Sequence, residues 1–234
     1  HPLWSRGLGD VYKRQYVLDA RWGLDQGFDT YVDDFDVKGQ RFIAMGGVQR
    51  PANEVIDKAL EWMGQERSAP FFLWVHLYDP HAPYEAPEPY KSRYPGAPYL
   101  AEIAFTDNQV ARLIEALEMT DKKDSTFIVV AADHGESLGE HGEIQHGFFI
   151  YESATHVPLI ISTPFEEIAG VQTNEVVSLI DVMPTILDMT GFEIPEAVQG
   201  QSLTSLFLEG AASEPRFVYS ETFYARYHYG WSEL

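Results

Sequence analysis

Residues 71–84 read FFLWVHLYDPHAPY, a short apolar run that passes directly into a proline-rich polar loop. An almost uninterrupted apolar run of this length is typical of a strand that is buried on both faces of a sheet. Pro80 and Pro83 restrict the backbone on either side of His81, and a loop stiffened in this way can hold an imidazole in one place. The stretch therefore predicts a buried strand with a candidate functional histidine at its carboxyl end.

The segments around this strand alternate between helical and strand patterns. Apolar residues recur at helical spacing in residues 53–65 and 99–117, and residues 126–132 and 157–162 are rich in β-branched side chains. Asn53 is the predicted N-cap of the first helix. Strand–helix–strand alternation with buried strands predicts an α/β fold in which helices cover a mostly parallel sheet.

The composition excludes several classes of partner and site. The 234 residues include 16 Lys and Arg against 36 Asp and Glu, a formal net charge of −20, so the field of the protein repels nucleic acids and anionic membrane surfaces. No stretch approaches the roughly 18 apolar residues that a membrane-spanning helix needs. Because the sequence has no cysteine, it excludes disulfides, thiolate metal ligands and a cysteine nucleophile within these residues.

A second polar cluster, residues 133–136 (DHGE), follows the predicted strand 126–132. Sites in open α/β sheets form outside the carboxyl ends of the strands, so we expect this cluster and the loop of His81 to carry the chemistry. Asp133 offers a carboxylate oxygen and His134 an imidazole nitrogen, and both can reach one divalent cation. A plain turn, in which Asp133 accepts hydrogen bonds from local backbone amides, is the alternative. Two ligands do not complete a metal site, so the others must come from elsewhere.

Four elements, taken together and in this order, resemble the sulfatases, a family of the alkaline phosphatase superfamily. They are residues 71–84, residues 132–142 (ADHGESLGEHG), residues 146–147 (HG) with 157–160 (VPLI), and residues 181–185 (DVMPT). The resemblance extends from about residue 18 to residue 234. It implies the α/β fold of that superfamily and a hydrolase of sulfuric ester bonds.

The resemblance also implies roles for four side chains. Asp133 and His134 match the pair that binds one divalent metal ion, and His81 matches an imidazole that orients or protonates the ester beside the sulfate. His146 matches a position at which relatives have a Lys or His that contacts the sulfate and the leaving oxygen. Calcium is the expected ion. Relatives commonly have Asn where this chain has His134, and an imidazole also suits Mn²⁺ or Zn²⁺, which are the alternatives.

Sulfatases use a formylglycine nucleophile, made from Cys or Ser in a Cys/Ser-x-Pro/Ala-x-Arg motif that this chain does not contain. The nucleophile and the other metal ligands are therefore expected upstream in the parent protein, and this chain alone is expected to be inactive. A small sulfated substrate is expected. The alternatives are hydrolysis of a phosphonate monoester or phosphodiester and a non-catalytic scaffold. The resemblance alone favours a periplasmic or extracellular location.

The two ends of the sequence indicate truncation. Residues 1–15 show no periodic apolar pattern, and residues 10–15 (DVYKRQ) match one reading frame of a transposon end sequence used to build sequencing libraries. We predict that residues 1–15 are artefactual, with a natural disordered arm as the alternative, and that residues 16–234 are a partial sulfatase catalytic domain. The aromatic residues 224–231 are predicted to pack in a core, with a surface that stacks on substrate as the alternative.

Overall fold

The computed structural model describes residues 9–12, 18, 20–33, 50–65, 69–164, 170–208 and 216–231. The chain divides into two compact units, residues 1–123 and residues 124–234. Among the described residues, no helix is both long enough and apolar enough to cross a membrane.

The first unit contains a three-stranded parallel sheet. Strands β1 (Gly9–Tyr12), β2 (Phe28–Val32) and β3 (Phe72–Val75) lie in the order β2-β1-β3, and β1 pairs in parallel with both neighbours. The predicted strand within residues 71–84 is therefore confirmed as β3. The parallel sheet predicted for an α/β fold is confirmed in this unit.

The central strand β1 lies inside residues 1–15, the segment predicted to be artefactual. Parallel pairing uses the backbone N–H and C=O groups of a strand, so a short segment can fill this place without an apolar pattern of its own. The lack of periodicity in residues 1–15 therefore gave no sign of the strand. The artefactual origin of the segment stays a prediction, because backbone pairing does not depend on where a sequence comes from.

One face of β3 carries the core of the first unit. Leu73 and Val75 pack against the buried residues of helix α1 (Ala52–Met63), while Phe72 and Trp74 on the opposite face are 51% and 38% exposed. The sequence predicts a strand that is buried on both faces. In the described part of the chain helices cover only the face of Leu73 and Val75, so the prediction is correct for one face and wrong for the other.

Helix α1 begins one residue before the predicted N-cap. Asn53 lies inside the helix, and Pro51 occupies the N-cap position without a capping side chain. Instead, the Ala52 N–H donates a hydrogen bond of 2.9 Å to the buried Asp79 carboxylate, which follows β3 in the chain. This carboxylate satisfies an amide that has no partner within the helix, and its charge complements the helix dipole. The loop that carries His81 is thereby connected to α1.

The second unit contains a two-stranded sheet of β4 (Ile128–Ala131) and β5 (Leu159–Ser162). Both strands lie within their predicted ranges, but they pair antiparallel. The predicted α/β class is confirmed, and this unit adds a small antiparallel sheet to the parallel sheet of the first unit. A strand pattern in the sequence reports burial and does not encode the direction of pairing, which follows from the path of the connecting chain.

The other helices are mostly short. In the first unit α2 (Tyr90–Arg93) precedes the long helix α3 (Pro98–Glu118), which covers the predicted helix 99–117. The second unit adds α4 (Glu152–Thr155), α5 (Val182–Met189), α6 (Thr204–Leu208) and α7 (Tyr224–Tyr229).

A buried ion pair lies at the start of α5. Asp181 is fully buried, and its carboxylate accepts hydrogen bonds of 2.6 and 2.7 Å from the Arg216 guanidinium. The backbone N–H groups of Ser178 and Gln201 donate to the same carboxylate at 2.7 and 3.0 Å. Burial acts to raise the pKa of Asp181, but these four donors outweigh it, and the pKa lies below its ordinary value.

Replacing Asp79 tests the connection between α1 and the loop of His81. We expect Asp79→Ala to lower the free energy of unfolding by about 1–2 kcal/mol, because the Ala52 N–H loses its acceptor. Urea denaturation measures the change. Glu61→Ala, on the exposed part of the same helix, is the control and should stay within about 0.5 kcal/mol of the parent chain. Equal effects of the two substitutions would contradict the capping role.

Replacing Arg216 tests the buried ion pair. At neutral pH we expect Arg216→Ala to lower the free energy of unfolding by about 3–5 kcal/mol, because Asp181 is left buried and unpaired. Because folding lowers the pKa of Asp181, the pair stabilises fully above the unfolded pKa of about 3.9 and loses its effect as the pH falls through the folded pKa. The difference in the free energy of unfolding between Arg216→Ala and the unsubstituted chain, measured by urea denaturation, should therefore become smaller at acidic pH.

The control for this pair is the exposed ion pair between Lys123 and Glu118, whose N–O distance is 2.9 Å. Lys123→Ala should cost less than about 1 kcal/mol, because water screens exposed charges. A difference between Arg216→Ala and the parent chain that stays constant from neutral to acidic pH would contradict the account.

Candidate functional site

The loop after β4 runs directly along helix α4, and Gly135 makes this possible. The Gly135 N–H donates a hydrogen bond of 2.8 Å to the Ala154 carbonyl oxygen. A Cβ atom at position 135 would lie 2.1 Å from the carbonyl oxygen of Ser153, so no larger residue fits. Ser137, which is fully buried, places its hydroxyl 2.9 Å from that of Ser153. The glycine of the Asp-His-Gly-Glu sequence thus allows two backbones to approach closely.

Asp133 and His134 lie side by side at the beginning of this loop. The His134 N–H donates a hydrogen bond of 3.0 Å to Oδ1 of Asp133, while Oδ2 is 3.8 Å from Nε2 of His134. Nδ1 of His134 is 2.8 Å from the Gly135 carbonyl oxygen. A carbonyl oxygen can only accept, so Nδ1 carries a hydrogen and Nε2 has the lone pair when the ring is neutral. One carboxylate oxygen and one basic nitrogen are therefore close neighbours.

This pair fits two ligand positions around a divalent cation. Metal–ligand distances of about 2.0–2.6 Å require two ligands of one ion to lie within about 5 Å of each other, which Oδ2 and Nε2 do. A hydrogen bond from the other ring nitrogen to a backbone carbonyl is the usual way in which a metal-binding histidine is oriented. Within the described ranges, no cluster of three or more His, Asp or Glu residues could hold an ion. Asp133 and His134 could therefore hold at most part of a metal site, and the hydrogen bond from the His134 N–H to Asp133 is also what the alternative of a plain turn predicts.

His146 lies against His134, with ring centroids 4.0 Å apart. Oε1 of Glu136 accepts a hydrogen bond of 2.7 Å from the His146 N–H and lies 3.0 Å from Nδ1 of the same residue. The Glu136 side chain is only 6% exposed, and that of His146 is 29% exposed. The loop thus brings together Asp133, His134 and His146, three of the four side chains predicted from the sequence. Glu136 belongs to the same motif, but no role was predicted for it.

The fourth predicted residue, His81, lies in the first unit, in the loop after β3. Its ring stacks on Tyr78 with centroids 4.1 Å apart, and its Nδ1 is 2.7 Å from the Ala82 carbonyl oxygen. As in His134, the carbonyl acceptor places a hydrogen on Nδ1. Nε2 is therefore the ring nitrogen of His81 that has the lone pair when the ring is neutral.

Glu102 supports the loop of His81 from helix α3. Its buried carboxylate accepts hydrogen bonds from the backbone N–H groups of His81, at 2.9 Å, and Glu85, at 2.6 Å. No sequence motif pointed to Glu102. The available signal was its spacing, because Glu102 lies three positions before Phe105 on the buried face of α3, where a carboxylate needs hydrogen-bond donors.

Aromatic side chains from residues 224–231 pack beside Phe148, two positions after His146. The Thr222 hydroxyl donates a hydrogen bond of 2.6 Å to the Gly147 carbonyl oxygen. The Phe148 ring contacts three rings of residues 224–231, with centroids 5.3 to 6.1 Å away. All three of these rings keep substantial exposure. The predicted packing in a core is therefore wrong for these rings, which pack together at a surface, and stacking on a substrate stays an untested alternative.

A family model described as Sulfatase matches residues 5–192. This chain belongs to the sulfatase family. The resemblance inferred from the ordered motifs is therefore confirmed, together with membership of the alkaline phosphatase superfamily. The matched residues contain Asp133, His134, His146 and His81, and the match begins within residues 1–15.

Two curated relatives are similar to this chain in sequence, and one solved structure is similar to it in fold. Arylsulfatase K of Homo sapiens is 37% identical over 116 residues, which cover 50% of this chain and 21% of that protein. The N-acetylglucosamine-6-O-sulfatase of Bacteroides thetaiotaomicron is 36% identical over 131 residues, which cover 56% and 23%. The crystal structure of the phosphonate monoester hydrolase of Agrobacterium radiobacter has a TM-score of 0.73 at 19% identity and covers 96% of this chain and 65% of that one. This structure confirms the fold, while the chain spans less than a quarter of the two curated relatives.

Replacing Gly135 tests the close approach of the loop to α4. We expect Gly135→Ala to lower the free energy of unfolding by about 1–3 kcal/mol, because its Cβ would collide with the Ser153 carbonyl. Urea denaturation measures the change. Gly64→Ala is the matched control: a Cβ at position 64 meets only ordinary contacts, so this variant should be neutral or slightly stabilised. A Gly135→Ala chain as stable as Gly64→Ala would contradict the packing argument.

Proposed function

We propose that the parent protein is a sulfuric ester hydrolase that hydrolyses a sulfate monoester with a divalent metal ion and a formylglycine nucleophile. The observation that carries the proposal is the cluster of Asp133, His134 and His146 in one loop of a sulfatase-family chain. The nucleophile motif and the other metal ligands are proposed to lie upstream, and the chain alone is proposed to be inactive. Action in the periplasm or outside the cell is proposed on the family resemblance.

Asp133 and His134 are the residues that would hold the ion. When bound, the ion supplies a Lewis acid that polarises the sulfuryl oxygens, with calcium as the proposed ion and Mn²⁺ or Zn²⁺ as the alternatives. His146 and His81 are proposed to contact the sulfate or to give a proton to the departing oxygen. A positioned general acid contributes typically about 10²–10⁴-fold to the rate.

An anionic ester must bind to a protein whose formal net charge is −20. Exposed charges more than about 10 Å from the ester are largely screened at ordinary ionic strength. A bound divalent cation and nearby imidazoles act over a few ångströms, where screening is weak. The local site can therefore attract an anion that the whole protein repels.

The names of the two curated relatives support a sulfated substrate, and one of them names a sulfated amino sugar. A small sulfated molecule is accordingly the proposed substrate. Phosphonate monoester hydrolysis is the second candidate, because the phosphonate monoester hydrolase structure matches 96% of this chain. Both reactions need a site that stabilises negative charge on equatorial oxygens, so the same residues would serve either one.

The test uses the parent protein, expressed after its upstream coding sequence has been recovered. We expect turnover of an aryl sulfate, loss of turnover on chelation, and recovery with the physiological ion among Ca²⁺, Mn²⁺ and Zn²⁺. His81→Ala should lower kcat/KM at least about tenfold if the imidazole assists proton transfer. His156→Ala is the control, because His156 is largely exposed and pairs only weakly with Glu152 at 3.5 Å.

Several results would contradict the proposal. Faster turnover of an aryl phosphonate than of an aryl sulfate would favour the second candidate. Turnover by the 234-residue chain alone would show that the nucleophile lies within it. A His81→Ala enzyme with an unchanged rate would remove His81 from the mechanism.

A further inference from the structure

We infer that Glu136 is a positioning residue that fixes the tautomer and orientation of His146. The sequence motifs assign no role to Glu136, which simply follows Asp133, His134 and Gly135 in the chain. Its importance for turnover rests on the proposed function, since that proposal places His146 at the reacting ester. Its effect on the His146 ring does not depend on any activity.

A single oxygen of Glu136 contacts both the main chain and the ring of His146. Oε1 is 2.7 Å from the His146 backbone nitrogen and 3.0 Å from Nδ1. The backbone contact fixes where the residue lies, and the ring contact fixes how far the imidazole rotates about its side-chain bonds. Two contacts to one acceptor therefore restrict the ring more than either would alone.

The chemistry of the acceptor decides the tautomer. An ionised carboxylate can only accept hydrogen bonds, so a lone pair on Nδ1 would face a negative oxygen at 3.0 Å. The Nδ1–H form replaces this repulsion with a charge-assisted hydrogen bond, which is about twice as strong as a neutral one. Nε2 is therefore the nitrogen of His146 that can exchange a proton with substrate. This is the opposite of the tautomer that an unconstrained imidazole prefers in water.

Burial makes the contact effective. The Glu136 side chain is 6% exposed, so little water competes for its oxygens, and a buried carboxylate needs protein donors to replace its hydration. The second unit contains a contrasting pair, Glu152 and His156, whose side chains are 87% and 78% exposed and whose atoms are 3.5 Å apart. Because water competes with that contact, we expect Glu152 not to determine the tautomer of His156.

His146 also differs from the other two histidines of the proposed site. In His134 and His81, Nδ1 contacts the carbonyl oxygen of the next residue in the chain. Those contacts form locally and need no distant partner. In His146 the acceptor is a carboxylate ten positions earlier, so the orientation of this ring depends on how the loop folds back.

The experiment reads the tautomer of His146 in the 234-residue chain from its ring nitrogen chemical shifts by NMR, at a pH where the ring is neutral. We expect the Nδ1–H tautomer in the unsubstituted 234-residue chain and a shift toward the Nε2–H tautomer in the Glu136→Ala variant. Glu136→Gln keeps an acceptor oxygen and should retain Nδ1–H. Glu152→Ala, the matched control, should leave His146 unchanged. In the active parent protein, Glu136→Ala should lower kcat about 10–100-fold with a much smaller change in KM.

The inference would be overturned if His146 were mainly in the Nε2–H form in the unsubstituted 234-residue chain, or if its tautomer were unchanged in Glu136→Ala. If Glu136→Ala does not fold, the test uses the unsubstituted chain and Glu136→Gln. The inference requires the Nδ1–H tautomer of His146 in both. The readout needs no turnover. Failure of the inference is therefore separate from failure of the sulfatase proposal, which the substrate assay tests.

Discussion

Buried carboxylates that accept backbone N–H groups from distant parts of the chain hold the loops of this protein in place. Asp79 accepts from the start of α1, Glu102 from the loop of His81, Glu136 from His146, and Asp181 from Gln201. An ionised carboxylate offers several acceptor positions and removes unpaired amides that a loop cannot satisfy by itself. The shape of each candidate loop thus depends on a negative charge that has little contact with water.

These contacts show that some of the acidic residues in this strongly acidic chain have a structural role. A net charge of −20 describes the field that an approaching molecule meets. It does not separate carboxylates that face water from those that are part of the framework. Two of the buried acids support histidines of the proposed site, Glu102 through the main chain of His81 and Glu136 through both main chain and ring of His146. Anionic framework residues therefore position the groups proposed to handle an anionic ester.

The local parts of the fold could be predicted from the sequence, and the distant contacts could not. The patterns within residues 71–84, 126–132 and 157–162 predicted β3, β4 and β5 in the right places, because apolar and β-branched runs report burial directly. Local patterns do not predict which strands pair. The sequence therefore did not indicate that β4 and β5 pair antiparallel, or that β1 lies between β2 and β3. The joint order of motifs predicted the family, although each motif alone is a weak signal.

The same division applies to the site. Adjacent residues such as Asp133 and His134 could be predicted to face one another, since the chain itself keeps them close. Glu136 and Glu102 were missed because their partners are ten and twenty-one positions away, a relationship that exists only after the loops have folded. Gly135 could be recognised as part of the Asp-His-Gly-Glu sequence, but only the structure shows that its missing side chain makes room for the backbone of α4.

The contact between Ala52 and Asp79 restricts which amino acids position 52 can accept. Proline is commonly favoured at the first position of a helix, since the amide that it lacks would have no partner there. Here that amide has a partner, and a proline would leave the Asp79 carboxylate buried without one of its donors. The residue tolerated at position 52 therefore depends on the residue at position 79, a dependence that neither position reveals by itself.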